Sequence, residues 1–269
     1  MLGAYVAPDG NTEEQVNILL KKTKEWAARL DRSYLTPQEA LTAYTQVLFP
    51  ALIYPVAVLA LTEQQCDKIV QPTLEALLKK LNMLRTTSGL LLYGPPRYGG
   101  LHLLNLYIQG YIIKIMMIIG HRQKNDTTST ILEIVLGTSQ QQVGIQTPIL
   151  ETNFEKYSFL LDDGWIKMVW KFLHEMHGSV TISNLWVPQS NYSQDVIIMD
   201  RVLEMNIPNS TIKTINTCRL YKKRYHISDL LDSCHRHLHA DILNPYIRQT
   251  HSDKFPTIEV PRSFWTKWE

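Results

Sequence analysis

Three cysteines, Cys66, Cys218 and Cys234, are all that the 269 residues contain. So sparse and odd a set, in a chain this long, argues against a disulfide framework. The start of the chain lacks the basic and apolar regions of a secretory signal. A long apolar run is missing as well. The most apolar stretch, YIIKIMMIIG over residues 111–120, is interrupted by Lys114 and is about half the ~20 residues that a membrane-spanning helix needs. The expectation is a soluble protein of a reducing compartment, nuclear or cytoplasmic rather than secreted, with no membrane partner. In such a protein the N-x-[ST] matches at Asn125, Asn191 and Asn209 carry no glycan. An excess of one charge is also absent: 27 Lys+Arg stand against 25 Asp+Glu, a formal +2, so any basic binding surface must be local. Internal repeats and low-complexity tracts are lacking too.

What is present is a globular composition, 45% hydrophobic and 19% charged with 12 Gly and 13 Pro, enough to bury a core in one or two domains. Pro8-Asp9-Gly10 reads as a turn closing a strand end. Thr12-Glu13-Glu14-Gln15 reads as a capping box, followed by Val16, Leu19, Ala27 and Leu30 at helical spacing, with Lys21, Lys22, Lys24 and Arg29 left on a basic outer face. Thr36-Pro37-Gln38-Glu39 and Thr62-Glu63-Gln64-Gln65 open two more helices by the same logic. Pro50 is expected to end the first of these, Pro55 to interrupt the apolar connector, and Pro72 to kink or break the second ahead of a Leu74, Leu77, Leu78 and Leu81 stripe. Residues 90–104 (LLLYGPPRYGGLHLL) read as two extended runs around a turn, residues 109–122 as an apolar helix, and Asp126 as the cap of a helix over 129–136.

After about residue 147 the texture shortens. A helix marked by Ile166, Val169, Trp170 and Leu173 is clear. Residues 179–187 (SVTISNLWV) and 219–226 (RLYKKRYH) alternate like strands, short helices are expected at 201–205 and 211–218, and a helical turn follows Ser228. The end at Trp268-Glu269 has no capping signal and reads as cut.

Candidate chemical motifs are weak. Asp162-Asp163 suggests a two-metal site, but no further carboxylate is placed beside it, and a loop with an N-cap before Gly164 explains it as well. Gly94 and Gly99 have phosphate-loop spacing, yet Gly100-Leu101 stands where Lys-Ser or Lys-Thr is required. In Cys234-His235-Arg236-His237-Leu238-His239, His235 and His239 would be ~13 Å apart on a strand, too far to share an ion. His174-Glu175-Met176-His177 misses the zinc-protease spacing by one residue and reads as a helix end. Neither a metal nor a cofactor is expected. Basic clusters remain at Lys21/Lys22/Lys24, at Lys79/Lys80/Arg85 and at Arg219/Lys222/Lys223/Arg224, the last interleaved with Tyr221 and Tyr225; they suit phosphate contact and base stacking.

Several segments together, in order, resemble one family. They are Leu2-Gly3 with Pro8-Asp9-Gly10-Asn11; Ala43-Tyr44 with Leu48-Phe49-Pro50-Ala51-Leu52-Ile53-Tyr54-Pro55; Leu61-Thr62-Glu63-Gln64-Gln65-Cys66-Asp67; and Tyr93-Gly94-Pro95-Pro96-Arg97-Tyr98-Gly99-Gly100-Leu101. The family is the reverse transcriptases of eukaryotic retroelements, in the region just after the polymerase palm. The resemblance covers about residues 2 to 136 and is weaker beyond, where Asn216-Thr217-Cys218-Arg219-Leu220-Tyr221, Trp265 and Trp268 are also similar.

The resemblance implies a mainly α fold with α+β character. Residues 1–10 would end a palm-like strand pair, 11–146 form a helical thumb-like region, and 147–269 a connection region of mixed helices and short strands. It implies an RNA-directed DNA polymerase family in which this retrotransposon-type stretch grips primer–template duplex by its phosphates, through Lys21, Lys22, Lys24, Arg29, Arg85 and Arg97. It implies no catalysis by this chain, because the family's aspartates lie upstream and Asp162-Asp163 comes in the wrong order with Leu160 in place of the aromatic. The alternative is a helical protein-interaction module whose Trp/Tyr-rich C-terminal half meets a protein partner; a zinc enzyme built on His235, His237 and His239 is the remote third.

Overall fold

The side chains of Thr36, Thr62, Ser88, Asp126 and Asn153 cap the helices they precede in the computed structural model, which describes residues 3–7, 10–182, 190, 192, 195–232, 234, 237–239, 242 and 260–268. The chain divides into two compact units, Met1–Lys124 and Asn125–Glu269. Among the described residues β pairing is limited to two isolated antiparallel bridges, Ile197 with His226 and Leu231 with Leu238. The fold is therefore mainly α. The division falls one helix before the change of texture at residue 147.

In the first unit, α1 (Glu13–Arg32) buries Val16, Leu19, Ala27 and Leu30. Its expected capping box does not form, because each member is engaged elsewhere. The Glu13 amide donates to Asn11 Oδ1 at 2.9 Å, Thr12 Oγ1 accepts from Gln65 Nε2 at 3.1 Å, and Gln15 Oε1 accepts from the Tyr5 amide at 2.5 Å. Residues 3–7 form no strand, so the expected strand end is absent among the described residues. The Gly10 amide closes a turn onto Ala7 O at 3.0 Å; Pro8 and Asp9 lie outside the described residues.

The box at Thr36 and Glu39 does form and opens α2 (Pro37–Ala43). Pro50 does not end this helix. A π turn, Tyr44–Leu48, intervenes, in which the Phe49 amide reaches back to Tyr44 O. Widening by one residue there relieves the clash a proline ring makes with the carbonyl four residues back. The helix continues as α3 (Phe49–Val58) with Pro55 inside it. Leu52 and Val56 on α3 are fully buried, and burying such side chains is worth about 1.5–3 kcal/mol each, enough to offset one missing hydrogen bond. Taken together Pro37–Val58 is long and apolar enough to cross a membrane by length and composition alone, although 39% of its apolar window is buried in the fold; the core helix of a soluble protein passes the same test.

The capping box at Thr62 and Gln65 opens α4 (Glu63–Lys80), which runs through Pro72 without a break. It turns Cys66, Ile69, Val70, Thr73, Ala76, Leu77 and Leu78 inward, a stripe shifted by about one residue from the expected one. Helix α4 lies along α1 in the same direction. Gln65 meets Thr12 at their starts, and Lys79 meets Asp31 at 3.1 Å at their ends.

Residues 90–104 are not two extended runs: Ser88 accepts the Leu90 amide and opens α5 (Gly89–Tyr93), and a 3-10 turn follows at Pro96–Tyr98. The loop then folds back, the His102 amide donating to Gly94 O and Leu101 to Leu91 O. Any Cβ on Gly100 would lie 2.1 Å from Gly94 O, so this return needs glycine. Helix α6 (Leu106–Lys124) packs on α3 and α4. Its Gly110 sits against Val56, whose Cγ1 would be 2.5 Å from an added Cβ.

In the second unit Asp126 caps α7 (Thr127–Val143), accepting the Ser129 amide. A short α8 (Phe154–Tyr157) and α9 (Trp165–Glu175) follow, with Trp170 buried and its Nε1 donating to Thr152 O at 2.9 Å. Then come α10 (Ile198–Glu204) and α11 (Asn209–Lys222). The strand expected over 219–226 is instead the last turn of α11, closed by Lys223 in the left-handed region at φ 54°. Residues 179–182 carry no strand, and the rest of that expected strand lies outside the described residues. The helical turn after Ser228 is a 3-10 turn, Ile227–Leu230. Finally α12 (Arg262–Trp268) packs on α11, with Trp265 buried edge-on to Tyr221 at 5.6 Å.

Candidate nucleic-acid interface

Helix α1 presents its inner face to α4 and so leaves Lys21, Lys22, Lys24 and Arg29 exposed, as their spacing predicts. None of the four forms an ion pair with a described residue. From Lys21 to Arg29 the helix rises ~12 Å, a length along which one strand of B-form DNA carries about three or four phosphates. The face is not uniformly basic. Glu14 and Glu25 are exposed on the same helix, and Ile18 is 46% exposed among them.

Arg85 follows α4 and is also exposed, with NH1 3.8 Å from Glu75 Oε2. Arg97 is exposed in the 3-10 turn after α5, its guanidinium 4.7 Å from the Tyr98 ring centroid. The structure thus brings four of the six expected residues onto one helix and leaves Arg85 and Arg97 on separate elements. Spacing alone did not single out Arg32, exposed in the last turn of α1. The same end of the helix pair carries Lys79, on Asp31, and Lys80, whose Nζ donates to Ser33 O at 2.6 Å. Cations at helix C-termini meet the negative end of the dipole, so these positions also serve the fold.

The third basic cluster is only partly at the surface, with Lys223 exposed and Arg224 half-buried. Arg219 and Lys222 are buried. Arg219 donates through Nε to Asn216 Oδ1 at 2.8 Å, through NH1 to Arg224 O at 3.2 Å, and through NH2 to Gln141 O at 2.6 Å and Gln142 O at 3.3 Å. Asn216 Nδ2 donates to Gln142 O at 2.8 Å. Those carbonyls end α7 and have no intrahelical donor, so α11 caps α7 from its side. Burial pulls the Arg219 guanidinium down to about 10 while the neighbouring Tyr225 pushes it up; it stays charged at neutral pH. Lys222 lies 5.4 Å from the Trp265 ring centroid. The alternation of aromatic and basic residues here records packing inside a helix pair.

The remaining motifs have structural partners. Asp162 Oδ2 accepts from Gln142 Nε2 at 2.7 Å, and Asp163 pairs with Lys167 at 2.8 Å, whose hydrogen bond and charge hold its carboxyl below the usual carboxylate pKa. Neither caps α9, whose N-cap is Gly164. The amides of Tyr98, Gly99 and Gly100 are used within their own turn. His174 is 3.5 Å from Glu155 and stacks on Phe154, while His177 follows the helix end at φ 51°. Both edge a cavity of about 310 Å³ floored by Leu150, Trp170 and Leu173. Cys234, His237 and His239 are exposed, and His235 lies outside the described residues. Among the described residues no group of three or more His, Cys, Asp or Glu side chains is placed to hold a metal ion. No protein-family model, curated protein or solved structure matches the chain.

Proposed function

We propose that the chain binds nucleic-acid duplex through backbone phosphates, as the thumb and connection of a retroelement reverse transcriptase would, and performs no nucleotide transfer itself. The supporting observation is the run of four exposed cations on α1 that pair with no described residue, on a helix packed along its opposite side by α4. Phosphate contacts from such a face position a duplex without reading its sequence. The likeness of residues 2–136 to the post-palm region supplies the primer–template assignment, and an intracellular, non-membrane setting goes with it.

The test is duplex binding across a salt series. Replacing Lys21, Lys22 and Lys24 together by glutamate should weaken binding and flatten the slope of log K against log salt by about 2 to 3, at about 0.7–0.9 per lost phosphate contact. Substituting Arg85 or Arg97 singly should move the slope by about 1 or less. Equal affinity and slope in the native and triple-variant chains would sink this reading and leave the protein-interaction module in its place.

A further inference from the structure

Helix α6 carries one cation on its buried side. Lys114 is fully buried, and its Nζ has no hydrogen-bond acceptor among the described residues. The amine lies 3.6 Å from the centroid of the Tyr111 ring, and that ring is fixed by its hydroxyl, which donates to Leu61 O at 2.8 Å. The elements packed on α6 offer little else. From α4 the titratable group acting on Lys114 is the Cys66 thiol, while Glu63 and Asp67 act on Cys66 itself. From α3 the only ionisable side chain is Tyr54, 51% exposed.

We propose that Lys114 makes the packing of α6 against α4 proton-responsive: the contact is tight with the amine neutral and loosens when the amine takes up a proton. An ammonium in this position gives up its hydration and gains one aromatic face and no carboxylate, which does not balance. Burial accordingly pulls the Lys114 amine down to about 7, with Cys66 opposing weakly, whereas in the unfolded chain it titrates near 10.4. Because the folded value is the lower one, the penalty is absent above the unfolded value, grows as pH falls toward 7, and is constant below. Cys66 works the other way. Burial pushes its thiol up to about 12, so its contribution is present below about 8.5 and is lost as pH rises from there. The first unit is then most stable near pH 9, and it loosens on acidification through neutrality. This device stands or falls independently of whether α1 binds duplex.

The experiment uses the full chain with ¹³C-labelled lysine. The Lys114 ε-carbon, assigned by connection to the α6 backbone, should titrate about three units below the other lysines; titration together with them would overturn the proposal. In parallel, urea unfolding followed on α4 and α6 amides should show an unfolding constant at least about tenfold larger at pH 6 than at pH 9 in the native chain. In Lys114→Met the excess unfolding at pH 6 should vanish, leaving only the Cys66 contribution, about fourfold in the opposite sense. The same pH response in both proteins would also overturn it, and should the variant fail to fold, the lysine titration of the native chain decides alone.

Discussion

Each of the two units buries a cation, and they treat it differently. In the second unit the Arg219 guanidinium spreads its hydrogen bonds over Asn216, Arg224, Gln141 and Gln142, and two of those acceptors are carbonyls that α7 cannot satisfy itself. In the first unit the Lys114 ammonium has no acceptor among the described residues and rests on one ring. The two positions are equally dry. What separates them is donor geometry: a planar fork with five N–H groups can serve several carbonyls at once, whereas a compact ammonium on a flexible stem needs acceptors gathered around one point. Arg219 therefore holds its unit together, while Lys114 strains its own.

The largest effect should come from breaking the satisfied site. Arg219→Met leaves the Gln141, Gln142 and Arg224 carbonyls without their donor, and a loss of about 3 kcal/mol or more is expected in urea unfolding followed on second-unit amides. Arg219→Lys should recover little of it, because one ammonium cannot replace the fork. A loss under about 1 kcal/mol would mean that water serves those carbonyls equally well.

Lys114→Met should have the opposite sign. It fills similar volume without a charge, so the first unit should gain stability at both pH values and gain more at pH 6 than at pH 9, by about 1.4 kcal/mol or more. A destabilised variant at pH 6 would show that the amine has an acceptor after all and erase the contrast between the units.

The smallest effect concerns the same distinction between local and long-range partners at helix starts. Thr36→Ala removes a cap that serves its own helix and should cost about 1 kcal/mol in thermal or urea unfolding. Thr12→Ala removes only an acceptor for Gln65 across to α4 and should cost about half as much or less. Equal costs would show that Thr12 caps α1 in solution.

Much of this fold was legible locally. Thr36, Thr62 and Asp126 open helices where their side chains predict, and the apolar positions of α1 and α9 point inward at helical spacing. The four cations of α1 were legible for the same reason, since the face opposite an apolar stripe is solvated. The burial of Arg219 and Lys222 was not. Their exposure depends on α7 and α12, elements distant in sequence, and in a list of residues a basic run beside tyrosines is the same whether water or another helix covers it. Lys114 was visible only as an interruption of an apolar stretch.

The sequence by itself determined where α2, α4 and α7 begin and which sides of α1 and α9 are apolar, because capping and periodicity act over three or four residues. Only the tertiary structure decided that Pro50, Pro55 and Pro72 would lie inside helices, that Thr12 and Gln15 would leave their box, and that Lys114, Arg219 and Lys222 would go inside. Those outcomes turn on which distant surfaces meet, where the burial of a few side chains outweighs a local preference worth about 1–3 kcal/mol.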